Sequence, residues 1–164
     1  MSHVLFKLSQ AYLEIIGPDP EQPDPDGPRP FGVDDVTEPR LVTWAVSVPD
    51  LDLWLAWCRA RRIDPGPGIA MQRTTPGGDV LRWRLTLPPP EGDGVIPFLI
   101  EWPGATPAST SVTGVELFGF ELSHPDGSVA ARLREYALPQ AVETGPAALR
   151  ATLLTPNGLV ELRS

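Results

Sequence analysis

The amino-acid sequence predicts an α+β protein: mostly antiparallel strands, two main helices and one strand–helix–strands unit used twice. Three observations lead there. Short apolar runs recur along the 164 residues, separated by clusters drawn from 21 prolines and 15 glycines, the punctuation of a fold with many short strands. Two segments break that rhythm with apolar residues at helical spacing. The letters also repeat. Val48-Pro49-Asp50 before one helical segment resembles His124-Pro125-Asp126 before the other, and Leu81-Arg82-Trp83-Arg84-Leu85 resembles Leu149-Arg150-Ala151-Thr152-Leu153. Self-similarity of this kind marks a duplicated supersecondary unit.

The first strands are Val4 to Leu8 and Ala11 to Ile16, a hairpin with Ser9-Gln10 as its turn. Between Gly17 and Pro39 the character changes to seven acidic residues, one arginine and a dense set of prolines that remove backbone donors. Residues 17–39 therefore read as an acidic, Pro-rich surface crossover. Leu41 to Val48 reads as a strand with Val42, Trp44, Val46 and Val48 on one face. Asp50 is placed to cap a helix near residues 50–62, whose stripe is Leu51, Trp54, Leu55 and Cys58. Arg59, Arg61 and Arg62 fall in its last turn, where cations suit the helix dipole. After Pro65-Gly66-Pro67-Gly68 come strands at Ile69 to Arg73, Val80 to Leu87 and Val95 to Trp102. The first two are joined by Thr75-Pro76-Gly77-Gly78. Val115 to Ser123 is the next strand. A helix near 126–137 turns Val129, Leu133 and Tyr136 inward, and a hairpin of Leu149 to Leu154 with Leu159 to Leu162 closes on Pro156-Asn157-Gly158.

Length and composition bound the rest. A chain of ~150 residues buries roughly 70% of its unfolded surface, so residues 1–164 are expected to form a single domain. The formal charge is −8 and Lys7 is the sole lysine, with the arginines scattered, so no nucleic-acid or anionic-membrane partner is expected. The arginine-over-lysine bias suggests a GC-rich bacterial genome. Cys58 stands alone, which excludes an internal disulfide and a cysteine zinc cluster. No apolar run reaches the ~18 residues of a membrane span, and the expected location is cytoplasmic.

The order βαβββ resembles the repeat of the vicinal-oxygen-chelate superfamily, and particular phrases resemble its glyoxalase-like domain family. They are Tyr12-Leu13-Glu14-Ile15-Ile16-Gly17-Pro18-Asp19-Pro20, the stretch from Arg73 through a Pro-Gly turn to Leu85, and Ile96-Pro97-Phe98-Leu99-Ile100-Glu101-Trp102 followed by Thr106-Pro107-Ala108-Ser109. The resemblance covers nearly the whole chain. It implies a curved sheet around a pocket in which a divalent metal ion chelates neighbouring substrate oxygens as a Lewis acid. Family members usually begin with a strand and helix ahead of the segment matching Ser2-His3-Val4, and this sequence is expected to start inside that first module, with a true start further upstream, a lost element or a strand supplied by another chain as the alternatives. The sheet edge so exposed predicts a homodimer.

Within that frame several residues could carry chemistry. With Ser9 and Gln10 as the turn, Leu5 pairs with Glu14 and His3 with Ile16, so His3 and Glu14 share a face as diagonal neighbours, ~7–8 Å apart. They are the candidate metal ligands, or else His3 is an ordinary terminal residue. Glu14 and Glu101, one from each module, are the candidate catalytic carboxylates; a strand end open to solvent is the other reading of Glu101. Two carboxylates facing one cavity repel unless a cation lies between them, and Arg73 and Arg82 are nearest in sequence for that part. Arg82 and Arg84 share a strand face opposite Leu81, Trp83 and Leu85. Arg73, Arg82, Trp83 and Trp102 are the candidate binding residues, the arginines for a carboxylate held by bidentate bonds. The alternative for the arginines is plain surface, and for the tryptophans plain core. His124, just before a helix, is expected to contact its first turn.

Two functional readings follow. One is a protein that binds a small polar or anionic molecule in the sheet cavity, as a metal-dependent lyase, isomerase or dioxygenase. The other is a non-catalytic small-molecule binding or sequestering protein. Fold-level analogy does not choose between them.

Overall fold

The computed structural model describes residues 2–8, 11–21, 23, 26–75, 77–104, 106 and 111–164, and the side chains of these except 2–6 and 112. The Ser9-Gln10 turn, Pro76 and most of the Thr106 to Ser109 phrase lie outside the described residues. The protein is α+β, with mostly antiparallel strands and two main helices. Its chain forms two compact units, Met1–Val42 with Pro107–Phe120 and Arg150–Ser164, and Thr43–Thr106 with Glu121–Leu149.

In the first unit β1 (Ser2–Leu8) and β2 (Ala11–Gly17) pair antiparallel in the expected register, His3 opposite Ile16 and Leu5 opposite Glu14. β7 (Val112–His124), whose last residues belong to the second unit, runs parallel to β1. Phe6 faces Val112 but Leu8 faces Val115, so β7 carries one extra residue there. Gly114, at φ +100°, supplies the left-handed backbone such a bulge uses. β9 (Ala148–Thr155) and β10 (Gly158–Arg163) form the closing hairpin, and the strand order is β10-β9-β7-β1-β2. In the acidic crossover, Pro30–Asp35 winds into a short 3-10 segment that buries Val33. Arg29 fastens it through its backbone amide and guanidinium to Asp34, at 2.7 and 2.5 Å.

The second unit contains one complete βαβββ run. β3 (Ala45–Ser47), α1 (Leu51–Ala60), β4 (Ile69–Thr74), β5 (Val80–Leu85) and β6 (Phe98–Glu101) follow in order, and the sheet order is β3-β6-β5-β4. β4 with β5 and β5 with β6 are antiparallel, while β3 and β6 are parallel. Asp50 caps α1 as expected, accepting the Leu53 amide at 2.9 Å. Leu51, Leu55, Val48 and Leu99 make the helix-to-sheet core, with Val46 and Trp54 packed against it. The helix ends earlier than its arginines suggest. Arg61 is the C-cap, its guanidinium 4.0 Å over the Trp57 ring, and Arg62 turns to φ +61°. α2 (Gly127–Glu135) is capped by Asp126, buries Val129 and Leu133, and is followed by β8 (Val142–Thr144), parallel to the end of β7. Among the described residues no helix is long and apolar enough to cross a membrane.

Candidate functional site

The register of the second unit's sheet decides which side chains can meet, because residues directly opposite in a ladder share a face. On β4 and β5, Met71 faces Trp83 and Arg73 faces Leu81; on β5 and β6, Leu85 faces Ile100 and Arg84 faces Glu101. Ile69, Met71, Arg73, Leu81, Trp83, Leu85, Phe98, Ile100 and Trp102 thus share one face by alternation. Ala70, Gln72, Arg82, Arg84, Leu99 and Glu101 take the other. Leu99 identifies that second face as the one beneath α1.

On the helix face Arg84, Asp52 and Glu101 form one charge cluster. Arg84 donates two hydrogen bonds to Asp52 in the first turn of α1, at 2.7 and 2.9 Å, and reaches Glu101 at 3.4 Å. The Arg84 guanidinium holds the Asp52 carboxyl below the usual carboxylate range, and Asp52 in turn raises Arg84. Gly68 lets the helix sit close, since a Cβ there would lie 3.1 Å from Leu51 and 3.5 Å from Arg84. Glu101 therefore sits beside a guanidinium under α1, and it is Arg84 that neutralises it. Glu14 lies exposed on β2 in the first unit.

The opposite face has a different chemistry. Its inner row, Leu85 and Ile100, is buried; its next row, Met71, Trp83 and Trp102, is half-buried. The Trp83 and Trp102 rings stand 5.3 Å apart, tilted by 36°. Arg73 lies one row further along, half-buried and diagonal to Trp83, and among the described residues its side chain has no ion-pair or hydrogen-bond partner. The Trp102 indole nitrogen is buried with no acceptor, which costs ~1–3 kcal/mol for a buried donor left unmade. The structure thus brings Arg73, Trp83 and Trp102 to one face and sends Arg82 to the other. Met71 was not among the candidates drawn from the sequence. Counting outward from the Thr75 to Asp79 turn would have set it opposite Trp83.

His124 meets its expected neighbour, accepting the Asp126 amide at Nδ1 over 3.0 Å just before α2. Its ring is 7% exposed, and Nε2 stands 3.4 Å from an Asp93 carboxylate oxygen. The contact lacks hydrogen-bond geometry, so Nε2 has no acceptor among the described residues. Asp93, in the left-handed region at φ +47°, follows a tight turn at Pro90–Gly92. Nearby in sequence, a groove of about 270 Å³ is walled by Pro65, Pro67, Pro88, Pro89 and Pro90.

Among the described residues no three His, Cys, Asp or Glu side chains lie close enough to hold a metal ion. The tryptophan face offers neither imidazole nor carboxylate, and Glu101 is committed to Arg84, so the described donors do not fit a divalent metal centre. The His3 side chain lies outside the described residues. Burial pushes the Cys58 thiol up against the weaker opposing pull of Arg61 and Arg59, which leaves it a core residue.

A family model described as a glyoxalase-like domain matches residues 2–137, and the chain belongs to that family. Among solved structures, the crystal structure of a hypothetical protein from Staphylococcus aureus is 17% identical, with a TM-score of 0.49. That match covers 74% of this chain and 51% of the other, so the chain spans about half that protein's length. No curated protein matches the chain.

Proposed function

We propose that this glyoxalase-like protein, a member of the vicinal-oxygen-chelate superfamily, binds a small polar or anionic molecule on the sheet face that carries Arg73, Trp83 and Trp102. The observation that carries this reading is the composition of that face. A surface meant only for packing has no use for an unpaired half-buried guanidinium beside two indoles, whereas a small-molecule site combines apolar walls with a few placed donors. Binding without chemistry suits these residues best, since among the described residues the face presents donors and rings but no general base. The test is a small-molecule screen followed by tryptophan fluorescence. Ligands that quench the wild-type protein should lose affinity in Arg73→Gln and in Trp83→Leu. A ligand unaffected by either substitution refutes the assignment.

A second reading, a metal-dependent lyase, isomerase or dioxygenase, is supported by the β1–β2 register, which makes His3 and Glu14 same-face diagonal neighbours. Elemental analysis of the purified protein and thermal shifts with Zn, Ni, Mn and Fe test it. A metal that stabilises wild type but not His3→Ala supports this reading, and no shift with any of the four refutes it. We also propose a cytoplasmic protein of bacterial origin that forms a homodimer, which light scattering at high micromolar concentration would refute by showing a clean monomer.

A further inference from the structure

We infer that β10 is the dimer seam: its outer edge pairs antiparallel with the same edge of a second copy of the chain, about a two-fold axis at Val160. The inference rests on the homodimer proposed above and names the surface that makes it. Which backbone groups β10 has to spare follows from its hairpin. Thr155 and Gly158 pair across the two-residue turn Pro156-Asn157. So tight a turn closes on a hydrogen-bonded pair, and hydrogen-bonded and open pairs then alternate down the ladder. Gly158, Val160 and Leu162 therefore turn their amides and carbonyls to β9, while Leu159, Glu161 and Arg163 turn theirs outward. An independent bond agrees with that phase, since the Arg163 carbonyl accepts the Leu41 amide at 2.7 Å from outside the hairpin. Leu159 and Glu161 are left. Among the described residues their outward backbone groups have no partner.

The side chains do not guard this edge. Lysine, proline or an inward-pointing charge protects an edge strand, and β10 reads Gly-Leu-Val-Glu-Leu-Arg. Leu159 is 62% exposed, and Val160 is exposed as well. Val160 lies opposite Leu153 and shares the face on which Leu153 and Ala151 are buried. Phe118 falls on that face too. A Cβ on Gly119 would lie 3.8 Å from Thr152, so Gly119 goes with Thr152, and by alternation Phe118 goes with Leu153. Phe118 is 70% exposed, so an apolar layer runs out to an open edge. A second copy completes it in one register. Two copies on a two-fold axis must set outward residue against outward residue. Leu159 against itself runs Glu161 into the other copy's turn. Glu161 against itself sets like charges face to face and needs the Arg163 carbonyl, which Leu41 already holds. Leu159 against Glu161 of the second copy uses the free amides and carbonyls of both edges. It sets Val160 opposite Val160 of the second copy and extends the Leu153 row across the axis. Glu161 keeps its own countercharges, Arg150 and Arg163.

The test is cysteine cross-linking. An open antiparallel pair on the axis brings its two Cα atoms to about 4.5 Å, inside the about 4.4–6.8 Å that a disulfide spans. Val160→Cys is expected to give a disulfide-linked dimer under mild oxidation. Leu159→Cys stands diagonal to its own copy, beyond the ~7 Å limit, and should not. Wild type controls for Cys58, which is buried. Val160→Lys sets like charges on the axis and should weaken association roughly tenfold or more by light scattering, with a far-UV circular dichroism spectrum like that of wild type. Hydrogen exchange reads the seam with no substitution at all. The Leu159 and Glu161 amides should slow as protein concentration rises, while Val160, already bonded to β9, should not change. Cross-linking by Leu159→Cys in preference to Val160→Cys would overturn the register. A wild-type dimer that survives Val160→Lys, with Leu159 and Glu161 exchanging alike at every concentration, overturns this seam and leaves the homodimer to another surface. A wild-type monomer at high micromolar concentration overturns both. Species larger than a dimer overturn the two-fold, because a pairing of this kind closes on itself.

Discussion

Replacing Gly92 with alanine should be among the most damaging single-atom additions this protein can suffer. Gly92 is buried at the end of the Pro90–Gly92 turn, and a Cβ built on it would stand 2.7 Å from Ile96 Cγ1, 2.9 Å from Ile96 Cβ and 3.0 Å from Ile96 Cδ1. Real Cβ atoms do not come so close, so something must move. Ile96 cannot swing away cheaply, because it is β-branched with restricted χ1 freedom and is 2% exposed. Overpacking of this kind costs ~1–3 kcal/mol. For a domain of this size each kcal/mol lowers Tm by roughly 2–4 °C, so Gly92→Ala should melt about 2–12 °C below wild type. A double-mutant cycle isolates the cause. Ile96→Ala removes the Cγ1 and Cδ1 contacts but keeps Cβ, and alone it should cost ~2–5 kcal/mol as a cavity. Together the two changes should cost less than their sum by ~0.5–3 kcal/mol, the range for residues in contact. Chemical denaturation of the four proteins reads this directly. Additive losses, or a Gly92→Ala protein as stable as wild type, would show that Gly92 is not closed against Ile96.

Other expectations concern the core and its ionisable groups. Leu99→Ala should cost ~2–5 kcal/mol by urea denaturation, because it empties the centre of the cluster that joins α1 to the sheet. Asp52 has its pKa lowered, chiefly by the Arg84 hydrogen bonds. The stability it lends is thus present above the ordinary carboxylate range and lost as pH falls through its own depressed value, so Asp52→Asn should flatten the acid limb of a stability–pH profile. Cys58 and Tyr136 are shifted the other way, both raised chiefly by burial. Their contribution is full below the ordinary thiol and phenol ranges and disappears as pH rises through the raised values. Tyr136→Phe should therefore flatten the alkaline limb, and a limb as steep as that of wild type would refute the assignment.

Much of the fold was legible because short-range chemistry controls it. Asp50 and Asp126 announced both helix starts, and the β1–β2 register followed from counting around a two-residue turn. The failures have physical reasons. Leu41 to Val48 alternates like a long strand, yet only Ala45–Ser47 pairs. Alternation reports half-burial, not a partner. Leu41 instead bonds Arg163 at the end of β10, and Trp44 is tied by its indole to Val95. The strand read from Val115 begins at Val112 instead, because a bulge at Gly114 lets β7 continue through the glycine. Val142–Thr144 is too short for periodicity to register. As for the site, alternation separated Arg82 from Trp83, but nothing local says which face a helix will cover. That single unknown placed Glu101 under α1 beside Arg84 and left Arg73 with the tryptophans.

The parallel pairing of β3 with β6 has a consequence for the route by which the second unit assembles. It joins the first strand of the βαβββ run to its last, so its three-residue ladder closes only after the chain between has been gathered in. The β4–β5 hairpin is local and forms without that entropic delay. β3 is then a clasp fastened at the end, and a brief, late-made ladder is the first to reopen. Amide protons of Ala45–Ser47 should exchange with solvent sooner than those at the heart of β5. A protease sampling the opened state would find its first cut in the segment leading into β3, upstream of a sheet that is otherwise intact.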